Sequence, residues 1–386
     1  MKKLRIGLLT HNYPTKQTES KDAGRFVYAF AHALSRKAKP YVFCPDYGGE
    51  KEIDLKVPVT WFDWGGGNEK FGNWKMYSPL SAVKFIKLTS TGCKEVLKFV
   101  NDNDIDYLIS FWNFPSGVFG LYAKKKFGIH YSTWALGSDI YIYPKLPIVR
   151  QIVKRVLRNA DIAFGNSYDI GRAIKKLSGA KSTFLPTSNL IENKKYKKPK
   201  LDKKKTNFLY LARLEKVKGP DVLIEAAGVL STKTTNFTVT FIGSGSMSSE
   251  LKDQIRRLHL EKIVKILGYI EDQQTVNGFI IESDCLVIPS RSESFPLVVT
   301  EALLPSLPMI GSNVGDMPEF VGKNNIGYIF PKENSRALAK VMLKMIKNAK
   351  KMKRSNKKKM HKLAEDFRLD RIVDKFLSSV EPFVSE

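Results

Sequence analysis

Two glutamates with seven residues between them, Glu293 and Glu301, sit in the stretch Ser290-Arg-Ser-Glu-Ser-Phe-Pro-Leu-Val-Val-Thr-Glu301. An apolar run, Asp284–Pro289, precedes it and reads as a strand. Pro296 then suits a first helical turn, where its missing N–H costs nothing. A helix starting there presents free backbone N–H groups at the strand's carboxyl end, able to hold a phosphate or a sugar oxygen. Glu293 falls in the loop and Glu301 about one turn into the helix. Both carboxylates can then face one ligand, the first over a sugar and the second over a ribose. Taken alone, the spacing fits a helix-start acid and a surface charge at least as well.

A second junction shifts that balance. In Leu209-Tyr-Leu-Ala-Arg213-Leu-Glu-Lys-Val-Lys218-Gly219, Arg213 stands just past a strand and Lys218 at the mouth of the next helix. Two cations so placed can neutralise a diphosphate, Arg213 as a planar fork and Lys218 as a point charge. A departing nucleoside diphosphate needs such help because negative charge develops on it as its bond to the sugar breaks. Gly243-Ser-Gly245 ends another strand, where missing side chains let backbone approach a ligand. Tyr269 and Ile270, after Gly268, could frame a nucleobase with backbone groups. Gly24, in Asp22-Ala23-Gly24-Arg25 ahead of a first helix, could present N–H groups from the other side of a cleft.

The elements that must position these residues form two series. In the first half, Lys3–Leu9, Pro40–Cys44, Tyr107–Phe111, Gly128–Thr133, Ile162–Gly165 and Lys181–Leu185 read as strands, with a helix over Arg25–Ser35. From Asn207 a second series begins: strands at Asn207–Ala212, Phe237–Ile242, Lys262–Gly268, Asp284–Pro289, Pro308–Gly311 and Gly327–Phe330 alternate with helical patterns. Alternation of this kind predicts α/β architecture with doubly wound parallel sheets. Between the series, Asn193–Thr206 holds eight lysines and one acid without apolar period, and reads as a solvated linker. The expected organisation is a 1–190 domain, a 191–206 linker and a 207–365 domain. An amphipathic stretch over about 366–386 would cross back to brace the first. Two such lobes leave a cleft at the carboxyl ends of their strands.

The chain has 386 residues and a formal charge of +26, from 64 Lys and Arg against 38 Asp and Glu. That surplus suits anionic company, whether phosphorylated substrates, an anionic membrane surface or nucleic acid, or reflects a lysine-rich proteome. No helix-turn-helix, RNA-binding aromatic motif or zinc spacing supports nucleic acid. Three scattered cysteines, Cys44, Cys93 and Cys285, argue against a disulfide framework or a structural zinc. The basic, then apolar start is too short for a signal-peptide core, and no run reaches the roughly 20 apolar residues that span a bilayer. A cytoplasmic protein is expected.

The whole arrangement resembles the retaining GT-B-fold glycosyltransferases of family four, also called glycosyl transferases group one. Five pieces carry the resemblance in order: Arg213 with Lys218-Gly219, Gly243-Ser-Gly245, the paired glutamates, Gly315-Asp-Met-Pro318-Glu319 and, in the first half, Gly24. Ala160-Asp161 with Asn166-Ser167 fits the family's strand leading toward the linker. The resemblance implies two Rossmann-like domains facing each other across a cleft, and a nucleotide-sugar donor as co-substrate with no cofactor. It would have Arg213 and Lys218 bind the donor diphosphate and Glu301 the ribose. Glu293 with the backbone at Phe295, Pro296 and Leu297 would hold the transferred sugar. Attack would come from the face the leaving phosphate vacates, retaining configuration and requiring no metal, consistent with the lack of a clustered ligand set. In Trp134-Ala-Leu136-Gly137-Ser138-Asp139, Leu136 falls where many members carry a histidine, and Asp139 is the candidate to take over a catalytic polar role.

Two further stretches bear on the acceptor. Pro147–Arg158 gathers Ile148, Val149, Ile152, Val153, Val156 and Leu157 on one face and four cations elsewhere. It reads either as a helix lying on an anionic membrane or as one packed on its own sheet. Lys344–Lys362, with ten Lys and Arg and no acid, would add to a basic surface. Trp61, Trp64 and Trp74 could offer flat faces to sugar rings, or form a buried cluster. The expected function is transfer to a glycan, glycolipid or lipid-linked acceptor in cell-surface polysaccharide synthesis, on the inner membrane face. The alternatives are a small soluble acceptor and a non-catalytic polyanion-binding protein.

Overall fold

Every strand pairing among the described residues is parallel. Parallel strands need crossover connections and are covered on both faces, which is why their sequences read as near-continuous apolar runs. The computed structural model describes residues 3–15, 24–71, 74, 78–191 and 195–384. It divides into two units, Met1–Thr187 with Leu369–Glu386, and Ser188–Arg368.

In the first unit the chain runs β1 (Arg5–Leu9), α1 (Arg25–Leu34), β2 (Lys39–Pro45), β3 (Val59–Phe62), α2 (Pro79–Asp102), β4 (Tyr107–Phe111) and α3 (Ser116–Phe127). It continues through β5 (Tyr131–Ala135), α4 (Ser138–Tyr141), α5 (Pro147–Asn159), β6 (Ile162–Gly165), α6 (Tyr168–Ser178) and β7 (Ser182–Phe184). The sheet order is β3-β2-β1-β4-β5-β6-β7. In the second unit come β8 (Thr206–Leu211), α7 (Pro220–Ser231), β9 (Phe237–Ile242), α8 (Ser248–Arg257), β10 (Val264–Ile266), α9 (Gln273–Glu282) and β11 (Cys285–Ile288). After it follow α10 (Leu297–Leu303), β12 (Met309–Ser312), β13 (Gly327–Phe330), α11 (Ser335–Ser355) and α12 (Lys357–Glu365), in the order β10-β9-β8-β11-β12-β13. The winding direction reverses between β1 and β4 in one sheet and between β8 and β11 in the other. At such a switch point the loops leaving the two central strands part and open a crevice, where ligands of open α/β sheets bind.

The last helix, α13 (Leu369–Val380), belongs to the first unit. Its apolar face, Ile372, Val373, Phe376 and Val380, is buried in the core formed with α1, and Phe376 lies edge-on to Phe30 at 5.5 Å.

Several sequence expectations meet a different outcome. Neither β3 nor the 24-residue α2 is among the elements read from the sequence. Thr89-Ser-Thr-Gly92 is poor in helix formers, and tertiary packing overrides that propensity. Gly92 admits the Phe119 ring so closely that a Cβ there would lie 2.4 Å from it. Of the two readings open for α5, the packed one holds: Val149, Val153, Val156 and Leu157 are buried in the core, and Ile148 stands clear of it. Of the two readings of the tryptophans, the buried cluster holds for Trp64 and Trp74, whose rings lie 5.3 Å apart.

The lysine-rich stretch is bound to its unit instead of hanging free. Lys197 N donates to Gln274 O at 3.1 Å, Tyr196 Oη to Glu282 Oε1 at 2.7 Å and Lys203 Nζ to Glu282 Oε2 at 2.6 Å. Glu192, Asn193 and Lys194 lie outside the described residues, as do Asp22 and Ala23.

Candidate functional site

The loops leaving β8 and β11 flank the switch point of the second sheet, and they bring the two sequence motifs together. Lys218, from the first loop, donates Nζ–H to Glu293 Oε1 on the second. Ser290 Oγ donates to the same oxygen at 3.1 Å. Both members of the pair keep some exposure, so the charges are held at a rim and not sealed in the core. Arg213 is exposed, and among the described residues its guanidinium forms no ion pair. One cation is thus pre-positioned against a carboxylate while the other remains open to an anion.

The β8–α7 loop is braced from both sides. Tyr210 Oη donates to Arg213 O at 2.9 Å, and Leu214 N to Ser244 O at 2.9 Å. Glu215 receives Ser246 N at 2.9 Å and Ser246 Oγ at 2.6 Å, and these donors hold its carboxyl below the usual range. Gly243 is required there: its φ is +141°, and a Cβ would lie 2.0 Å from Ala212 O. Its N–H donates to Gly268 O at 2.8 Å, which ties the β9 loop to the turn carrying Tyr269 and Ile270. Tyr269 is exposed and Ile270 half-buried.

Arg291, which the sequence reading passed over, braces the other side. Its Nη1 and Nη2 donate to Asp221 Oδ1 and Oδ2, both at 2.8 Å, a bidentate pair. Nη1 also reaches Lys216 O at 2.7 Å, Nε reaches Glu333 Oε1 at 2.9 Å, and the backbone N–H of Arg291 reaches Val217 O at 2.8 Å. The Arg291 side chain holds Asp221 below the ordinary carboxylate range against the opposing effect of burial. One side chain therefore clamps the Lys218 loop to the Glu293 loop.

The Glu293 loop is also covered from β12. Gly315, at φ +52°, sits so close that a Cβ would meet Glu293 O at 2.3 Å, and Asp316 N donates to Ser294 O at 3.0 Å. Phe295 turns its ring inward, stacked on Phe367 at 5.3 Å and edge-on to Phe320 at 5.0 Å. Only its backbone is left for a ligand. Pro296 is the residue before the helix, not its first turn, and α10 starts at the exposed Leu297.

Glu301 is buried on α10 and accepts a hydrogen bond from Asn189 Nδ2 at Oε1, while Asn189 N donates to Thr300 Oγ1 at 3.0 Å. Burial pushes its carboxyl up to about 7, and the Asn189 bond opposes the shift. Asn189 was not singled out from the sequence, since nothing local marks a partner 112 positions away.

In the first unit, Gly24 is packed against the backbone at Asn12, where a Cβ would meet Asn12 O at 2.4 Å. Asp139 does not suit the catalytic role expected of it. It is fully buried and accepts from Asn113 N at 2.8 Å, Asn113 Nδ2 at 2.7 Å, Leu136 N at 3.1 Å and Gly137 N at 2.9 Å. With its oxygens used in this way, it fixes the turn after β5 and is a positioning residue. His11 is buried between Trp112 and Phe71, and desolvation lowers its pKa to about 3, keeping it neutral.

Among the described residues no group of three or more His, Cys, Asp or Glu side chains could hold a metal, and no helix is long and apolar enough to cross a membrane.

Comparison with known proteins sets this geometry in context. The sequence model of the family described as Glycosyl transferases group 1 matches residues 192–362, the stretch that carries both junctions. The amylovoran biosynthesis glycosyltransferase AmsK of Erwinia amylovora is 32% identical over 144 residues, which span 36% of this chain and only 35% of that protein. The N-acetyl-alpha-D-glucosaminyl L-malate synthase of Bacillus anthracis is 22% identical over 71% of this chain and 74% of its own length. Among solved structures, Anabaena HepE in complex with UDP superposes with a TM-score of 0.74, over 98% of this chain and 100% of that one, at 17% identity. At that identity the likeness concerns the fold alone.

Proposed function

We propose that the chain is a group 1 glycosyltransferase that transfers a sugar from a nucleoside-diphosphate-sugar to a glycan, glycolipid or lipid-linked acceptor in cell-surface polysaccharide synthesis; the family model over residues 192–362 and the GT-B fold support this reading. The observation that carries the donor half is the junction at the β8–β11 switch point, where Lys218 pairs with Glu293 and the same β8–α7 loop carries the exposed Arg213.

In this reading Arg213 binds the diphosphate. Lys218 keeps one N–H on Glu293 and turns the others to phosphate oxygens. As the sugar–phosphate bond breaks, the two cations stabilise the charge that collects on the leaving group, and do so without a metal. Glu293, oriented by Lys218 and Ser290, takes hydroxyls of the sugar, helped by backbone at Phe295, Pro296 and Leu297. Glu301 takes the ribose hydroxyls, while Gly243, Tyr269 and Ile270 border the nucleotide. Configuration is retained, the departing phosphate taking the acceptor's proton. The protein works at the cytoplasmic face of the membrane. UDP, present in the HepE structure, is the first nucleotide to try.

A second reading keeps the donor chemistry and replaces the acceptor with a small soluble molecule. It draws on the N-acetyl-alpha-D-glucosaminyl L-malate synthase relative, whose match extends over both units.

Thermal-shift titration with nucleoside diphosphates and their sugars tests the donor assignment. At least one uridine or guanosine diphosphate should stabilise the wild type, and Arg213→Ala should weaken the effect. A wild type indifferent to every nucleotide would overturn it.

A further inference from the structure

We infer that the amino-terminal half of α2 and the turn between α4 and α5 form a docking surface for an anionic lipid bilayer, an inference resting on the proposed lipid-linked acceptor. Leu80, Val83 and Ile86 project from α2 at 63, 62 and 65% exposure. They follow one another at three-residue steps and so share a helical stripe. The opposite stripe, Ser81, Leu88, Gly92 and Val96, is buried. Ordinary surfaces scatter large aliphatics singly, and a contiguous set marks a contact site.

A second set lies beside the first. Phe85 stacks on Phe114 at 4.3 Å, and Phe114 also meets Tyr143 at 5.8 Å. This shared ring places the start of α2 next to the turn that carries Ile142 and the first turn of α5 that carries Ile148, 52 and 78% exposed.

Charge selects the occupant. Lys87, Lys145, Arg150 and Arg155 are exposed around these aliphatics, and no acid occurs in residues 78–94 or 140–160. Two of the α2 cations already have partners, Lys84 in Glu69 and Lys87 in the carbonyl of Gly65. A nucleic acid would satisfy the cations and leave the aliphatics in water. A second copy would cover the aliphatics and bring like charges together. A bilayer with anionic headgroups offers phosphate to the one and hydrocarbon to the other. The basic face of α11 differs: it has exposed lysines and no exposed large hydrophobic residue, and therefore lacks the means to insert.

The test is co-sedimentation of the full chain with phosphatidylcholine vesicles, with and without about 30% phosphatidylglycerol. It compares wild type, Val83→Glu/Ile86→Glu, and the charge-neutral Leu80→Ser/Val83→Ser/Ile86→Ser. Wild type should partition to the anionic vesicles, and both variants about tenfold less, with unchanged circular dichroism and unchanged nucleotide-induced thermal shift. Equal partition of wild type and variants overturns the inference, as does a wild type that stays in solution. A solution dimer that the variants dissociate also overturns it, assigning the face to self-association. Failure on vesicles with the nucleotide shift intact leaves the donor reading standing; loss of that shift in the wild type removes the donor reading instead.

Discussion

Lys218 Nζ is hydrogen-bonded to Glu293 Oε1 across the switch point of the second sheet, 75 positions apart in sequence. In the proposed reading the pair joins the cation that meets phosphate to the carboxylate that meets the sugar. Its two halves should fail differently. Lys218→Ala should lose nucleoside-diphosphate affinity about tenfold or more, since a charge-assisted contact contributes roughly 1.5–3 kcal/mol. Glu293→Gln should keep most of that affinity and lose turnover, because it meets the sugar and not the phosphates. Calorimetric titration beside steady-state kinetics separates the two, and equal loss of nucleotide binding in both would refute the division of roles.

Much of this pairing was legible beforehand, and some was not. Arg213, Lys218 and Glu293 could be found because each follows a strand by a few residues, and strand ends in a parallel sheet converge. Arg291 could not, because its partners Asp221, Lys216 and Glu333 come from distant parts of the sequence and no local pattern announces them. Burial was the other hidden quantity. The α5 stripe, Trp64 and Asp139 all carry side chains fit for a surface task, and only tertiary packing shows them inside.

Glu301 gives a pH prediction. Its folded pKa, about 7, stands above the ordinary 4.5, so the folded chain holds a proton that the unfolded chain has released between those values. Stability therefore falls as pH rises through that window, and the penalty, on the order of 3 kcal/mol, is complete above it. Glu301→Gln keeps an acceptor for Asn189 Nδ2 and cannot ionise. Its melting temperature should gain on the wild type as pH is raised from about 5 to about 8. Nucleotide affinity should rise with pH in the wild type beyond whatever rise the variant shows, as the ionised carboxylate accepts ribose hydroxyls more strongly. Parallel profiles for the two proteins would remove Glu301 from the ribose.

Metal removal addresses the leaving group. If Arg213 and Lys218 carry the neutralisation, sugar transfer measured after dialysis against excess chelator should equal that of untreated protein. Arg213→Ala should not be rescued by added magnesium. Activity lost on chelation and restored by magnesium would shift the charge stabilisation from these side chains to an ion.

The Arg291–Asp221 clamp should act on catalysis through the two loops it joins. The pair is largely shielded, with side chains 18 and 16% exposed, so breaking it should cost about 1–3 kcal/mol of stability. Arg291→Lys should recover little, because an ammonium cannot span both oxygens of Asp221 and also reach Lys216 O. A double-mutant cycle with Asp221→Asn should show coupling of about 1–2 kcal/mol, since each single variant strands the other partner. The effect specific to positioning is kinetic. With Lys218 and Glu293 no longer held at a fixed separation, kcat should fall in Arg291→Lys at temperatures where the variant is fully folded, while the donor KM changes less. A variant destabilised to the same degree in the core around α13, in the first unit, should keep its kcat. If kcat falls equally in that control, the clamp is structural only and does not tune the site.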